Sequence, residues 1–173
     1  MIRVFLLILS MSFVYSSSAQ TNVPSAEQMI DSLLQMEKVL AANADVNESA
    51  VAAVSYLNTV EKLQKRYPEH PRCPEFLFRA GDVAVGLKKY ERSLALWSML
   101  IKEYVGHELE ARATFFTAFV LDSKVEDKVS AYEAYNTFLN SFPDHELAAT
   151  AKMLQSQLGV SEEQLIEKFK QKN

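Results

Sequence analysis

The three histidines of the chain close three similar tetrads, and imidazole is a common ligand for transition metals. The tetrads are YPEH at 67–70, YVGH at 104–107 and FPDH at 142–145, so their histidines stand 37 and 38 residues apart. A metal site needs several imidazoles within coordination distance. Regular spacing instead indicates equivalent positions of a repeated unit, about 10 Å apart if helix packing sets the distance. We interpret the histidines as connector residues and predict no metal site.

Glutamate follows two of these histidines, in His107-Glu108 and His145-Glu146. A zinc protease of the HExxH type needs a second histidine four residues after the first, on the same helix face. Here those positions hold Ala111 and Ala149. The sequence therefore does not predict this chemistry.

Cys73 is the single cysteine, so it cannot form an intrachain disulfide. It could act as a nucleophile or link to another chain, but a reactive thiol needs an exposed, electropositive setting. A 38-residue offset aligns it with Ala111 and Ala149, where a small buried residue is expected. We favour a packing role for Cys73, since cysteine behaves as a small hydrophobe.

Motifs for other chemistry are absent from the sequence. It has no glycine-rich phosphate loop, nucleophile elbow or calcium loop. With 22 acidic and 18 basic residues and no basic run, the chain is poorly suited to bind nucleic acid. We predict a protein that is not an enzyme, uses no cofactor and does not bind nucleic acid.

The first nineteen residues resemble a signal peptide. A short segment ending in Arg3 precedes an apolar run at 4–15, and small residues precede Gln20, as signal peptidase requires. Cleavage between Ala19 and Gln20 would leave one domain without a membrane span. We expect an exported protein, periplasmic or secreted.

Beyond that segment, apolar residues recur every three or four positions, which is the period of one helix face. Few glycines and prolines interrupt the pattern. Eight helices are predicted: Ser25–Ala41, Asn47–Tyr67, Pro74–Leu87, Lys89–Tyr104, Glu108–Val125, Asp127–Phe142, Glu146–Leu158 and Ser161–Lys170. Capping-box patterns begin the first helix at Ser25 and the last at Ser161.

An internal repeat organises these helices. Residues 107–116 match residues 145–154 at five of ten positions. The same 38-residue offset aligns Ala80 with Ala118, Ser93 with Ala131, Trp97 with Tyr135, Leu100 with Phe138, and Tyr104 with Phe142. A period in the thirties made of two helices predicts an all-α solenoid of antiparallel helix pairs.

These residues resemble the tetratricopeptide repeat (TPR) family. Small Ala131, aromatic Tyr135 and helix-ending Pro143 have the family's spacing, as do Ser93 and Trp97, and Ala80-Gly81 matches its paired Leu-Gly. Phe119 and Val105 depart from the pattern, where glycine and proline are expected. The resemblance implies a right-handed superhelical stack, and the long connectors resemble those of TPR proteins in bacterial envelopes.

The interpretation divides the chain into four parts: a signal peptide at 1–19, a degenerate repeat or cap at 20–66, TPR-like repeats at 67–158 and a capping helix at 159–173. The resemblance implies a scaffold that binds a protein or peptide on its concave surface. The predicted groove residues are Glu75, Phe78, Asp82, Val85, Ala113, Phe116 and Val120. Phe78 and Phe116 could equally be core residues.

Self-association is the alternative function. The N-terminal helix is apolar over much of its circumference, through Met29, Ile30, Leu33, Leu34, Met36, Val39 and Leu40. Such a helix suits burial against the solenoid or against a second copy of the chain. The sequence leaves a homo-oligomer possible.

Overall fold

The computed structural model describes residues 23–42 and 46–172, which are helical and contain no strand. The proposed signal peptide lies outside these residues. The helices are α1 (Ala26–Ala41), α2 (Val46–Arg66), α3 (Cys73–Gly86), α4 (Tyr90–Glu103), α5 (Glu110–Val120), α6 (Lys128–Ser141), α7 (Ala148–Gln157) and α8 (Glu162–Lys172). The all-helical prediction is confirmed. The fifth predicted helix differs at its end, where Leu121–Val125 forms a π-helix.

Side-chain caps begin several helices, as the sequence predicts. The Ser25 hydroxyl accepts from the Gln28 N–H, and the Gln28 side chain accepts from the Ser25 N–H, so both halves of the capping box form. Ser161 and Gln164 make the same reciprocal pair before α8. Helix α6 starts where the Asp127 carboxylate accepts from the Ser130 N–H. These bonds satisfy backbone donors that have no partner within the helix.

Each helix from α1 to α7 packs chiefly against its neighbours in sequence, whereas α8 contacts α6. One apolar cluster joins α1 to α4 around Tyr56, Leu77 and Trp97 and includes Ala113 and Val120 of α5, and a second joins α5 to α7 around Tyr135 and Phe138. Phe116 packs against both clusters. This side chain therefore couples the two halves of the core.

Three connectors of equal length, residues 67–72, 104–109 and 142–147, join α2 to α3, α4 to α5 and α6 to α7. In each, the imidazole Nδ1 of the histidine accepts from the N–H two residues later, at 3.3 Å for His70, 3.2 Å for His107 and 3.1 Å for His145. The backbone N–H of each histidine also donates to the backbone carbonyl of the aromatic residue three positions earlier. The histidines are therefore equivalent connector residues.

These hydrogen bonds correct the predicted alignment. The connectors place Cys73 at the position of Glu110 and Ala148, because the N–H of each donates to the preceding histidine carbonyl. The repeat offset between α3 and α5 is thus 37 residues. Cys73 therefore does not correspond to Ala111 and Ala149. In this register Gly81, not Ala80, corresponds to Ala118.

Between α4 and α6 the repeat offset is 38 residues, one more than between α3 and α5. The π-helix accounts for this difference. At the end of α3, the Lys89 N–H donates to the Ala84 carbonyl five residues earlier, at 2.8 Å. At the corresponding place after α5, the Asp127 N–H donates to the Leu121 carbonyl six residues earlier, at 3.0 Å. One extra residue is therefore inserted in this turn, as the wider hydrogen bonding of a π-helix allows.

The small residues of the predicted close crossings are buried. Ser93, Ala118 and Ala131 are each 0% exposed. Gly81 lies so close to Trp97 that a Cβ would fall 2.1 Å from the indole Nε1. Only glycine fits there, because the indole occupies the space of any side chain.

In the first two helix pairs, the tyrosine that follows the second helix makes an equivalent hydrogen bond. The Tyr104 hydroxyl donates to the Pro68 carbonyl, at 2.7 Å, near the start of the helix pair α3–α4. The Tyr67 hydroxyl donates to the Pro24 carbonyl, at 2.9 Å, at the start of the pair α1–α2. The helix pairs α1–α2 and α3–α4 thus share an equivalent tyrosine hydrogen bond.

Candidate binding groove

A groove of about 600 Å³ lies between α3 and the segment that begins α5. It is lined by Pro71, Glu75, Phe78, Arg79, Asp82, His107, Glu108, Leu109 and Arg112. Two successive helix pairs thus contribute to it. We call this surface the α3–α5 groove.

Phe78 forms the floor of the α3–α5 groove and is only 7% exposed. The Arg112 guanidinium lies over its ring, 5.2 Å from the centroid. Phe116 and Trp97 pack against the same ring, with centroids 6.0 and 6.4 Å away. The Trp97 Nε1–H also donates to the Phe78 carbonyl at 3.1 Å. A partner would meet the Arg112 head group before the Phe78 ring.

One side of the groove carries an ion-pair network. Arg79 donates to Glu37 at 2.9 Å and to Glu75 at 2.6 Å, and the buried Tyr56 hydroxyl donates to Glu37 at 2.7 Å. Desolvation opposes the charge of Arg79, but the two carboxylates raise its pKa overall. The charge of Arg79 is therefore already balanced within the chain.

Asp82 lies on the same helix face as Glu75 and Phe78, and its side chain is exposed. Among the described residues, it forms no ion pair or hydrogen bond. Desolvation by its surroundings raises the pKa of the Asp82 carboxyl, while the nearby Arg112 lowers it. Asp82 is thus an acidic group whose charge the chain only partly compensates.

The structure separates the groove residues expected from sequence. Glu75, Phe78 and Asp82 line the groove. Ala113 and Val120 are buried in the core, at 0% and 2% exposed, and offer no accessible surface. Val85 and Phe116 are half-buried against the first core cluster.

The groove is also lined by Arg79, Arg112 and His107, which were not predicted from the sequence. The position of Arg79 on α3 gives no reason to prefer it to neighbouring residues as a groove residue. Arg112 and His107 line the groove because α5 packs beside α3. That packing depends on the angle between helix pairs. The 38-residue alignment gave no signal, because it pairs Arg112 with Pro74, whereas the register set by the connector hydrogen bonds pairs Arg112 with Glu75.

Phe119 is the exposed aromatic residue of α5, at 36% exposed. Its ring stacks on Phe115 with a centroid distance of 6.4 Å and an interplanar angle of 11°. Phe119 and Asp82 each lie twelve residues after a connector histidine, so they occupy corresponding positions. In the same register Ala118 takes the place of Gly81.

The sites considered for other chemistry have structural roles. Cys73 is 1% exposed, its thiol donates to the Tyr67 carbonyl at 3.2 Å, and burial raises its pKa. A buried thiol with a raised pKa is a poor nucleophile. Among residues 23–42 and 46–172, no group of three or more His, Cys, Asp or Glu side chains could hold a metal ion.

Helix α1 places much of its apolar surface inside the molecule. Met29, Ile30 and Leu33 are buried against the first core cluster. Leu34 and Met36 are partly buried against the same cluster. Less of the helix is therefore free for a second copy of the chain than its sequence indicated.

Comparison with models of known protein families finds no match to this chain, and comparison with curated proteins finds no match either. None of the helices between residues 23 and 172, within the described part, combines the length and hydrophobicity required to cross a membrane.

Proposed function

We propose that this chain is a non-catalytic scaffold of TPR-like helix pairs that binds a protein or peptide partner through the α3–α5 groove. The single observation that carries the proposal is the groove itself, in which two successive helix pairs bring charged and aromatic side chains together. Aromatic and arginine side chains are the types that most often dominate binding energy.

The packing of neighbouring helices and the equivalent connectors support a right-handed solenoid. Contacts that run from each helix to the next are expected of stacked repeats. The three histidine connectors then space the pairs evenly. This arrangement would place the α3–α5 groove on the concave surface of the stack.

The proposed setting is the bacterial cell envelope, after export. Its support is the resemblance of residues 1–19 to a signal peptide and of the connectors to those of envelope TPR proteins. The mature protein would begin near Gln20 and reach the periplasm or the medium.

Site-specific photo-crosslinking in the native host tests this function. A photoreactive amino acid is placed at Asp82 or Arg112, and at Lys102 as a control. Lys102 is exposed on α4 and does not line the α3–α5 groove. We expect one dominant envelope protein to be captured from the two groove positions and not from Lys102.

Two results would contradict the proposal. Equal capture from Lys102 and the groove positions would mean that the groove is not the contact surface. Capture of only further copies of the chain would favour self-association, the alternative function.

A further inference from the structure

We propose that the α3–α5 groove, together with the exposed Phe119 that lies further along α5 and outside the groove lining, recognises an extended peptide segment that carries a basic residue and, three positions away, a large apolar residue. Asp82 would bind the basic side chain and Phe119 would contact the apolar one. This inference rests on the proposed function and specifies the chemistry of the partner.

The charges of the groove select a basic side chain. Arg79 pairs with Glu37 and Glu75, and Arg72 pairs with Glu75 as well, so these four charged groups balance one another. Asp82 and Glu108 add two carboxylates, against which Arg112 provides one positive charge. The groove and the network beside it thus carry one negative charge in excess, and Asp82 and Glu108 are its two exposed carboxylates without an ion pair in the described residues.

A cation would gain at Asp82 because this exposed carboxylate has no ion pair among the described residues. The Arg112 guanidinium lies over the Phe78 ring instead of forming a salt bridge with Asp82. A lysine or arginine of the partner can therefore approach Asp82 from the solvent side. Charge complementarity of this kind contributes mainly to specificity.

Phe119 provides the apolar contact. More than a third of its surface is exposed, and Phe115 supports one face of its ring by stacking. A supported ring loses little conformational freedom on binding, which favours it as an interface anchor.

The spacing of the two partner residues follows from the packing of α3 and α5. Asp82 and Phe119 occupy corresponding positions on these two helices, which contact each other through Phe78, Arg112 and Phe116. Packed helices lie about 10 Å apart. An extended chain advances about 3.3 Å per residue, so three residues span the distance.

Selection from a phage-displayed library of random dodecapeptides on the immobilised full chain tests the inference. We expect enrichment of peptides with lysine or arginine three positions from leucine, phenylalanine or methionine. The inference is overturned if acidic residues are enriched, if basic residues show no such spacing, or if no peptide is enriched.

Variants assign the two contacts. Phe119→Ala is expected to weaken the affinity of an enriched peptide about tenfold. Asp82→Arg is expected to change the selected basic residue to an acidic one, which mere loss of structure would not do. Glu91→Arg, an equal charge change at an exposed position of α4, should leave selection unchanged, and circular dichroism verifies that each variant is folded.

The outcomes separate this inference from the proposed function. If enriched peptides lack the basic and apolar pair but lose affinity with Asp82→Arg, the groove binds peptides and only the specificity is wrong. If the groove variants change nothing for any enriched peptide, both proposals fail.

Discussion

The connector histidines illustrate how one residue type can suggest catalysis and serve structure. Each Nδ1 accepts a backbone hydrogen bond, so each imidazole orients the entry to a helix. The side-chain oxygen of asparagine stands at the same number of bonds from Cα as the imidazole Nδ1. We therefore expect the connector to require an acceptor at that place rather than an imidazole.

This requirement predicts different effects for two substitutions at His107. His107→Ala removes the acceptor for the Leu109 N–H and should lower the free energy of unfolding by about 1 kcal/mol. His107→Asn should retain most of that stability. Urea titration of both variants measures the difference, and equal losses would show that the imidazole ring, not its acceptor, matters.

Ala131 tests the close crossing between α5 and α6. It is 0% exposed, so Ala131→Leu should overpack the core and lower the free energy of unfolding by about 1 to 3 kcal/mol. Lys128→Gln, at an exposed position of the same helix, is the control and should change little. If the two variants unfold at the same denaturant concentration, Ala131 is not at a tight crossing.

Ser93 occupies the position that corresponds to Ala131, and its buried hydroxyl has no hydrogen-bond partner in the described part of the chain. A buried hydroxyl without a partner costs free energy. Ser93→Ala should therefore leave the free energy of unfolding unchanged or raise it. A loss of more than about 1 kcal/mol in thermal or urea unfolding would indicate a partner that the hydroxyl requires.

At the scale of the elements, the π-helix is a one-residue insertion between otherwise similar turns. The closing hydrogen bond spans six residues after α5 and five after α3. The insertion lets α5 follow the connector register while α6 keeps its own packing.

Deletion of one residue distinguishes the two turns. Removing the exposed Ser123 from the π-helix should restore the shorter turn and change the free energy of unfolding by less than about 1 kcal/mol. Removing Gly86 from the end of α3, where no residue is in excess, should cost about 3 kcal/mol or more. Urea unfolding measures both, and equal costs would mean that Leu121–Val125 is not a removable insertion.

At the scale of the whole molecule, two core clusters are joined by aromatic contacts. Phe116 packs on Phe78 and Trp97 in the first cluster and on Phe115 in the second, with centroid distances of 5.6 to 6.0 Å. Because each helix contacts chiefly its neighbours, stability should be distributed between adjacent pairs. Phe116 is then one link between the halves, beside Ala113 and Val120 of α5, which lie in the first cluster.

This link predicts partial uncoupling in Phe116→Ala. Amide hydrogen exchange in α5 to α7 should accelerate by about tenfold or more, while exchange in α1 and α2 stays near that of the unaltered protein. Leu57→Ala, a truncation within the first cluster, should instead accelerate exchange in α1 and α2. Uniform acceleration along the chain in both variants would show a single cooperative unit.

The sequence by itself determined the helical class and most helix positions, because apolar periodicity and capping side chains act within a few residues of each other. It also identified equivalent histidines, since their spacing is a property of the chain. Glu75, Phe78 and Asp82 were placed on one surface for the same reason: three- and four-residue steps share a helix face.

Only the tertiary structure decided which of the proposed groove residues a partner could reach. Ala113 and Val120 are buried because α5 packs against neighbouring helices, and Arg112 joins Phe78 because two helix pairs meet. The one-residue insertion likewise became visible through the span of a single hydrogen bond. Such features depend on contacts between residues distant in sequence, which periodicity along one helix does not contain.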